Sequence, residues 1–262
     1  MTERHPVIFV GAGPGDPELI TVKGQKALAA ADLVLYAGSL VSPAILTWAP
    51  PRAELIDTAA LNLAEIAGRM LAGYQAGQRV VRVHSGDPAL YGAIQEQLEV
   101  LEREEIPCVV IPGVTAAFAA AATLAQELTL PEVTQTVILT RAAGRTPVPD
   151  GEALGDLARH GATLVIYLSI KLIDAVVAEL TPVYGPETPV VVAYRVSWPD
   201  QRLLRGKLAT IAALVKEAGI ERQALIMVGP ALAAREGQLK ARSKLYDESF
   251  SHGFRAGDGE EL

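Results

Sequence analysis

The sequence predicts an α/β fold in two domains, the first with a mainly parallel five-stranded sheet and the second with a mixed sheet. Short β-branched runs alternate with helical patterns along the chain, and a hairpin-like pair of strands occurs only in the second half. The dipeptide Pro112-Gly113 interrupts the alternation. We therefore expect domains at residues 1–113 and 114–238, then a charged tail at 239–262 whose end is disordered.

Four strands of the first sheet are visible as short apolar runs, as expected for parallel strands covered on both faces. They lie at residues 7–10, 33–36, 80–83 and 108–111. Helical composition or spacing separates them at 22–31, 61–76 and 93–104. Strands that alternate with helices in this way indicate crossover connections and a parallel sheet.

The second half begins with an alanine-rich helix at 116–126 and continues with a different strand pattern. We predict strands at 137–140, 163–168, 190–196, 202–206 and 224–228, with helices at 152–160, 170–180 and 210–218. Only five residues, 197–201 with one proline, join two of these strands. So short a connection predicts an antiparallel hairpin and therefore a mixed sheet.

Composition excludes several classes of protein. The net charge of −7 and pI near 5.2 argue against a nucleic-acid or acidic-membrane surface. The longest apolar stretch, 114–125, is shorter than the roughly 18 residues that a membrane span needs. The single cysteine, Cys108, cannot form an internal disulfide, and we expect a buried, unreactive thiol. These features favour a soluble cytoplasmic protein.

Four glycine-containing loops follow predicted strands of the first sheet. They are the opening loop at 11–21, the second loop at 37–43, the third loop at 84–92 and the fourth loop at 112–116. Any one alone is explained as a turn. Because carboxyl ends of parallel strands share one edge, four such loops together indicate a ligand site there.

The opening loop resembles a dinucleotide-binding fingerprint but departs from it. Asp16 stands where the third glycine belongs, and Pro14 and Pro17 lack the N–H donors that a phosphate needs. No acid follows the second strand, and Walker A, Gly-x-Ser-x-Gly and metal-binding patterns are absent from the sequence. We expect no metal, and a ligand that is neutral or cationic.

Three motifs, in this order, resemble those of the tetrapyrrole methylases. They are Gly-x-Gly-Pro-Gly-Asp-Pro-x-Leu-x-Thr at 11–21, Gly-Asp-Pro at 86–88 and Pro-Gly-Val-Thr-Ala at 112–116. The resemblance implies a homodimer that binds S-adenosylmethionine in the cleft between two α/β domains, releases S-adenosylhomocysteine and methylates a tetrapyrrole. The stretches 36–41, 84–94 and 243–255 are most similar to members that methylate a macrocycle carbon on the route to cobalamin.

The resemblance also implies cofactor-binding residues. In the first domain they are Pro14, Gly86, Asp87, Leu90, Tyr91, Thr115 and Ala116, and in the second they are Leu168, Ala193, Tyr194, Gly229 and Pro230. The second set is matched more loosely, and Leu168 and Ala193 are equally well explained as packed core residues. A sulfonium cation without phosphate suits an acidic, proline-containing loop.

Substrate chemistry suggests further residues. Methyl transfer from a sulfonium mainly requires alignment, and a proton must later leave the carbon. Asp16 is the candidate base, with a turn-forming aspartate as the alternative. A polycarboxylate substrate needs cations, for which we expect Arg141, Arg145 and Arg195 unless they are ordinary surface charges. Ser39 and His84 complete the substrate-binding candidates.

Four alternatives remain open at this point. The substrate could be methylated at another macrocycle position, or it could carry cobalt. The acceptor could be a protein, as in diphthine synthase, although the tail stretch argues against this. Finally, the chain could bind its cofactor without catalysing a reaction.

Overall fold

The computed structural model describes residues 4–234 and 243–255, which form two compact units. The first unit contains residues 4–120 and 195–201, and the second contains 121–194, 202–234 and 243–255. The sequence predicted a domain limit after Gly113 and a first domain made of one continuous stretch. The observed first unit instead ends at residue 120 and includes the separate segment 195–201. The units differ from the predicted domains for two reasons. The helix at 116–124 is divided between the units, and residues 195–201 pack on the opening loop. Composition does not reveal a contact between segments so far apart in the sequence.

The first unit is built on a parallel five-stranded sheet in the order β3-β2-β4-β1-β5, as predicted. Its strands are β1 Val7–Gly11, β2 Leu33–Tyr36, β3 Glu54–Asp57, β4 Val80–His84 and β5 Cys108–Ile111. Its helices are α1 Val22–Ala29, α2 Leu63–Gln75 and α3 Gln95–Arg103, and α4 Ala116–Leu124 begins within it. Strand β4 lies between β2 and β1, which explains why all its residues are buried.

Adjacent residues of each strand point to opposite faces of the sheet, and both faces are covered. Phe9 packs in a cluster that includes residues of α2 and α3, whereas Val10 packs with residues of α1 on the other face. This two-sided burial accounts for the continuous apolar runs that predicted the strands. Strand β3 was not predicted, because it is an exposed edge strand with an acidic residue at each end.

The second unit has a mixed five-stranded sheet in the order β6-β7-β10-β8-β9, which confirms the prediction. The strands are β6 Val137–Arg141, β7 Thr163–Tyr167, β8 Pro189–Tyr194, β9 Arg202–Lys207 and β10 Ala224–Val228. Strands β6 and β7 are parallel, β10 is antiparallel to both β7 and β8, and β8 and β9 form the predicted antiparallel hairpin. The helices α5 Leu154–Ala158, α6 Ile173–Tyr184 and α7 Leu208–Glu217 contribute to one core cluster.

The described part of the tail, 243–255, is a compact loop organised by one arginine. The Arg255 guanidinium donates from Nη2 to the carbonyl oxygens of Leu245, Asp247 and Phe250, at 2.9, 2.6 and 3.3 Å. The disorder expected at the end of the tail concerns residues outside the described part. Over the described ranges, no helix is both long and apolar enough to cross a membrane.

Cys108 is half-buried rather than fully buried. Burial raises the pKa of its thiol, which disfavours the reactive thiolate.

Candidate active site

The opening, third and fourth loops meet through glycine backbones at the carboxyl edge of the first sheet. Gly13 and Gly86 exchange backbone hydrogen bonds of 3.2 and 2.8 Å, which join the opening and third loops by an antiparallel bridge just beyond the parallel strands β1 and β4. A Cβ on Gly113 would lie 2.1 Å from the Gly86 oxygen, and one on Gly11 would lie 2.5 Å from the Gly113 nitrogen. A side chain at Gly11 or Gly113 would therefore push these loops apart.

Asp87 connects the third loop to the fourth. Its Oδ2 accepts a hydrogen bond from the Gly113 N–H at 2.8 Å, and its Oδ1 accepts one from the Ala89 N–H at 2.8 Å. Each carboxylate oxygen thus holds a backbone amide, so the side chain fixes the relative position of the two loops.

Asp57 holds the second loop in a similar way and was not identified from the sequence. Its Oδ1 accepts from the Gly38 and Ala59 N–H groups, both at 2.9 Å. The available signal was an aspartate at the end of a strand, but that strand was the unpredicted β3.

The seven cofactor-binding candidates of the first unit all lie on or directly beside these interlocked loops. A Cβ on Gly86 would lie 3.7 Å from the Thr115 Cα, and the Leu90 N–H donates to the Asp87 carbonyl at 3.2 Å. Tyr91 is 44% exposed and has a φ of +55°, which is unfavourable for a residue with a side chain. Backbone strain of this kind persists mainly at functional sites.

Asp16 lies in the opening loop, and one oxygen of its carboxylate accepts a hydrogen bond. Its Oδ1 accepts from the Glu18 N–H at 2.9 Å and caps the short 3₁₀ turn Pro17–Leu19. In the part of the chain that the structure describes, Oδ2 has no hydrogen-bond partner. One oxygen therefore fixes the orientation of the carboxylate, and the other can accept a proton.

Both tryptophans of the chain contact the opening loop. The Trp198 indole N–H donates to the Pro14 carbonyl at 2.9 Å, and the Trp48 indole N–H donates to the Pro17 carbonyl at 3.4 Å. Trp198 belongs to the hairpin tip, defined as residues 195–201 between β8 and β9. The hairpin tip also accepts a hydrogen bond at Ser197, whose Oγ receives the Asp16 N–H at 3.0 Å. Sequence patterns contain no signal for contacts between residues so far apart.

Arg195 has partners within the hairpin tip. Its guanidinium carbon lies 4.1 Å from the centre of the Trp198 ring, and its Nε lies 3.1 Å from Asp200 Oδ1. The distance is short, but among the described residues Nε makes no hydrogen bond, so the contribution of this ion pair is mainly electrostatic. A substrate carboxylate would have to compete with Asp200 for this cation.

The other two predicted substrate arginines lie in the loop after β6. The Arg141 guanidinium donates to the carbonyls of Ala142, Thr146 and Pro147, at 3.3, 3.1 and 2.6 Å, and so folds its own loop. Arg145 is exposed in the same loop. Of these two residues, Arg145 is the better placed to meet a substrate from solution.

The looser cofactor candidates of the second unit differ widely in exposure. Leu168 is 69% exposed with a φ of +54°, so it is not the core residue that the alternative interpretation required. Ala193 and Gly229 are buried, Pro230 is exposed, and Tyr194 is half-buried beneath the Arg202 guanidinium at 4.7 Å. An exposed leucine in a strained conformation after β7 is consistent with a ligand contact.

His84 is buried beneath the third loop instead of projecting from it. Its ring stacks on Phe9 at 5.9 Å, and its Nε2 has no hydrogen-bond partner among the residues that the structure describes. Burial and the nearby Arg82 charge lower its pKa to about 3, so the imidazole is neutral near pH 7. Ser39, by contrast, is exposed in the second loop.

Arg82 is the buried cation beneath this edge of the sheet. It donates from Nε to Gln97 Oε1 at 3.1 Å and from Nη1 to Thr58 Oγ1 at 3.0 Å. Burial lowers its pKa to about 10, a value at which it remains charged near neutral pH. Its charge, next to His84, is one reason that His84 does not protonate.

The fold and the glycine-rich edge define a class of methyltransferase. The sequence profile of the Tetrapyrrole (Corrin/Porphyrin) Methylases matches residues 6–212, and the chain belongs to this family.

Individual relatives are similar over nearly their full lengths. The chain is 50% identical to the cobalt-precorrin-4 C(11)-methyltransferase of Methanocaldococcus jannaschii over 97% of this chain and 98% of the relative. It is also 50% identical to the precorrin-4 C(11)-methyltransferase of Pseudomonas aeruginosa, over 96% of this chain and 99% of the relative.

Solved structures agree with this assignment. The X-ray structure of a cobalt precorrin-4 methyltransferase superposes with a TM-score of 0.85 at 49% identity, covering 86% of this chain and 95% of that one. A uroporphyrin-III C-methyltransferase from Thermus thermophilus, complexed with S-adenosylhomocysteine, superposes with a TM-score of 0.73 at 29% identity, covering 90% and 97%.

Proposed function

We propose that the protein transfers the methyl group of S-adenosylmethionine to C11 of precorrin-4, giving precorrin-5 in cobalamin biosynthesis. The observation that carries this proposal is the 50% identity, over almost the whole chain, to relatives that are named for this reaction. The resemblance of the tail stretch 243–255 to this branch of the family supports the same reaction.

The cofactor proposal rests on the chemistry of the interlocked loops. Pro14, Pro17, Pro88 and Pro112 remove backbone donors at this edge, and Asp16 adds negative charge, so the loops suit a sulfonium better than a phosphate. The S-adenosylhomocysteine complex of a relative with 29% identity supports the same choice. Gly86, Leu90, Tyr91, Thr115 and Ala116 would contact the cofactor, and Asp87 would keep their loops together.

In the mechanism, the bound cofactor supplies an electrophilic methyl group, and the protein residues align the acceptor carbon and receive its proton. Alignment of reacting groups provides most of the rate enhancement in displacements of this kind. Asp16 Oδ2 is our candidate for the proton acceptor, because Oδ1 is already held by the Glu18 amide.

For the substrate carboxylates, we propose Arg145 as a primary contact, since it is exposed. Arg141 and Arg195 would contribute only if they exchange their present partners, and Ser39 offers a hydroxyl at the second loop. Any contact of His84 with the substrate would be made by a neutral imidazole. We also expect a cytoplasmic homodimer, as the family resemblance implies and a lone cysteine permits.

Precorrin-4 that contains cobalt is the second candidate substrate. Relatives named for either substrate share the same 50% identity with this chain, so identity does not separate them. The test is to incubate the purified protein and S-adenosylmethionine with metal-free or cobalt-loaded precorrin-4 and to follow the mass of the product. We expect a mass gain of one methyl group, which NMR of the product should place at C11; no gain with either substrate, or a methyl at another position, would refute the proposal.

A further inference from the structure

The hairpin tip makes three contacts with the opening loop, all around Asp16. Ser197 Oγ accepts a hydrogen bond from the Asp16 backbone N–H at 3.0 Å, and the Trp198 indole N–H donates to the Pro14 carbonyl at 2.9 Å. The Trp198 ring also covers Gly15, where a Cβ would lie 2.2 Å from the ring carbon Cδ1. Glycine is therefore required here by the approach of the indole.

The opening loop holds only part of this shape by itself, through the Glu18 and Leu19 N–H groups, which donate to Asp16 Oδ1 and to the Asp16 carbonyl oxygen. The two neighbours of Asp16 in the chain contribute few contacts, because Pro17 has no N–H and Gly15 has no side chain. The Asp16 N–H is directed to the hairpin tip, not to the loop. The conformation around the candidate base therefore depends in part on residues more than 180 positions away along the chain.

The hairpin tip is itself a strained and internally braced element. Arg195 and Ser197 have φ values of +44° and +67°, which are unfavourable for residues with side chains. The Arg195 guanidinium covers Trp198, Asp200 pairs with Arg195, and the Ser197 N–H donates to Gln201 Oε1 at 2.9 Å. Strain that is maintained by surrounding contacts is typical of residues with a functional task.

We propose that Ser197 and Trp198 are positioning residues, which hold the opening loop so that the Asp16 carboxylate faces the reacting carbon. This inference rests on the proposed function, in which Asp16 receives the proton. Arg195 and Asp200 support it by fixing the Trp198 ring. The requirement is geometric: a displacement of about 1 Å near a reacting centre can cost a factor of about 100 in rate.

Ser197 is tested with two substitutions that separate its hydroxyl from its backbone strain. Ser197→Ala removes the acceptor of the Asp16 N–H, and Ser197→Gly removes it while tolerating the positive φ. We expect both variants to lower kcat about tenfold or more, with S-adenosylhomocysteine affinity within about twofold of the wild type. Recovery of full kcat in Ser197→Gly would show that strain, not the hydrogen bond, matters, and would overturn the role of the hydroxyl.

Trp198 is tested with Trp198→Phe, which keeps an aromatic ring over Gly15 and removes the N–H that Pro14 accepts. The matched control is Trp48→Phe, the same chemical change at the longer 3.4 Å contact with Pro17. We expect a loss of about tenfold in kcat for Trp198→Phe and nearly normal kcat for Trp48→Phe. Equal effects in the two variants would contradict a specific role for the hairpin tip.

The activities of the wild type and of the variants together distinguish failure of this inference from failure of the proposed function. If the wild-type protein does not methylate precorrin-4, the proposed function fails, whatever the variants do. If the wild type is active and the Ser197 and Trp198 variants keep its kcat, the positioning role alone fails. Melting temperatures close to that of the wild type, together with a fall in kcat at unchanged KM for S-adenosylmethionine, would exclude general unfolding as the cause.

Discussion

At the scale of single residues, Asp16 is defined by the different environments of its two carboxylate oxygens. Oδ1 is held by the Glu18 amide, which leaves Oδ2 as the oxygen that can receive a proton. The motif predicted that this aspartate lies at the carboxyl edge of the first sheet, where the structure has it. The sequence could not show how its two oxygens are used, because the orientation of a side chain depends on its contacts.

The substitution Asp16→Asn tests the base directly. Asn keeps an oxygen that can cap the 3₁₀ turn but cannot accept the proton, so we expect kcat to fall by about 100-fold or more. Binding of S-adenosylhomocysteine, measured by calorimetry, should change little. Full turnover with normal substrate binding would show that Asp16 is not the base.

The buried His84 makes a second prediction, about pH. Its pKa is about 3 in the folded protein and about 6.5 when exposed, so the unfolded chain takes up a proton that the folded chain does not. Stability is therefore lost as pH falls below about 6.5. Between about pH 7.5 and about pH 5 we expect His84 to contribute a loss on the order of 2 kcal/mol in the free energy of unfolding.

Urea unfolding at these two pH values measures this loss. The comparison is with His84→Asn, which lacks the titrating ring and should show a smaller decrease between the two pH values. The same decrease in both proteins would mean that other groups cause the acid sensitivity.

At the scale of elements, the glycine loops mainly contact each other. Gly11, Gly86 and Gly113 form a backbone junction, and Asp87 ties the third loop to the fourth. The motifs of the sequence therefore specify first how the loops pack and only then what they bind.

This interlocking predicts opposite effects for two glycine substitutions. Gly113→Ala places a Cβ against the Gly86 oxygen, so we expect a loss of about 3 kcal/mol in stability and weaker S-adenosylhomocysteine binding. Gly68→Ala is the matched control, because nothing lies within 4 Å of its added Cβ on α2. It should stabilise the protein by up to about 1 kcal/mol. Tolerance of Gly113→Ala in urea unfolding and calorimetry would contradict the junction.

The predictability of elements followed their burial. Strands β1, β2, β4 and β5 gave apolar runs and were predicted to within one residue at each end. Strand β3 and the Asp57 contact at its end were missed, because an exposed edge strand carries no such run. The hairpin β8–β9 was predicted from its short connection, but the contacts of Trp198 were not, since they join residues distant in sequence.

At the scale of the whole molecule, the family assignment came from the order of three motifs and agrees with the two sheets. Domain limits were less accessible from sequence. The hairpin tip is continuous in sequence with the second unit yet clusters with the first, and only folded contacts reveal this.

Ligand binding by the whole protein gives a further prediction. A ligand that binds only the folded state stabilises it by about 2.7 kcal/mol at 100 times its Kd. We expect S-adenosylhomocysteine to raise the melting temperature, whereas NAD and ATP at the same concentration should not, because the loops lack phosphate-binding features. A shift with NAD alone would contradict the cofactor assignment.

The two indoles that contact the opening loop have a practical consequence. Trp48 and Trp198 are the only tryptophans in the chain, and each is hydrogen-bonded to a proline carbonyl beside Asp16. The tryptophan fluorescence of the protein, excited selectively over its tyrosines, therefore originates entirely from two side chains that contact this loop. Ordinary emission spectra, without any attached dye, can follow the loop in real time as cofactor and substrate arrive.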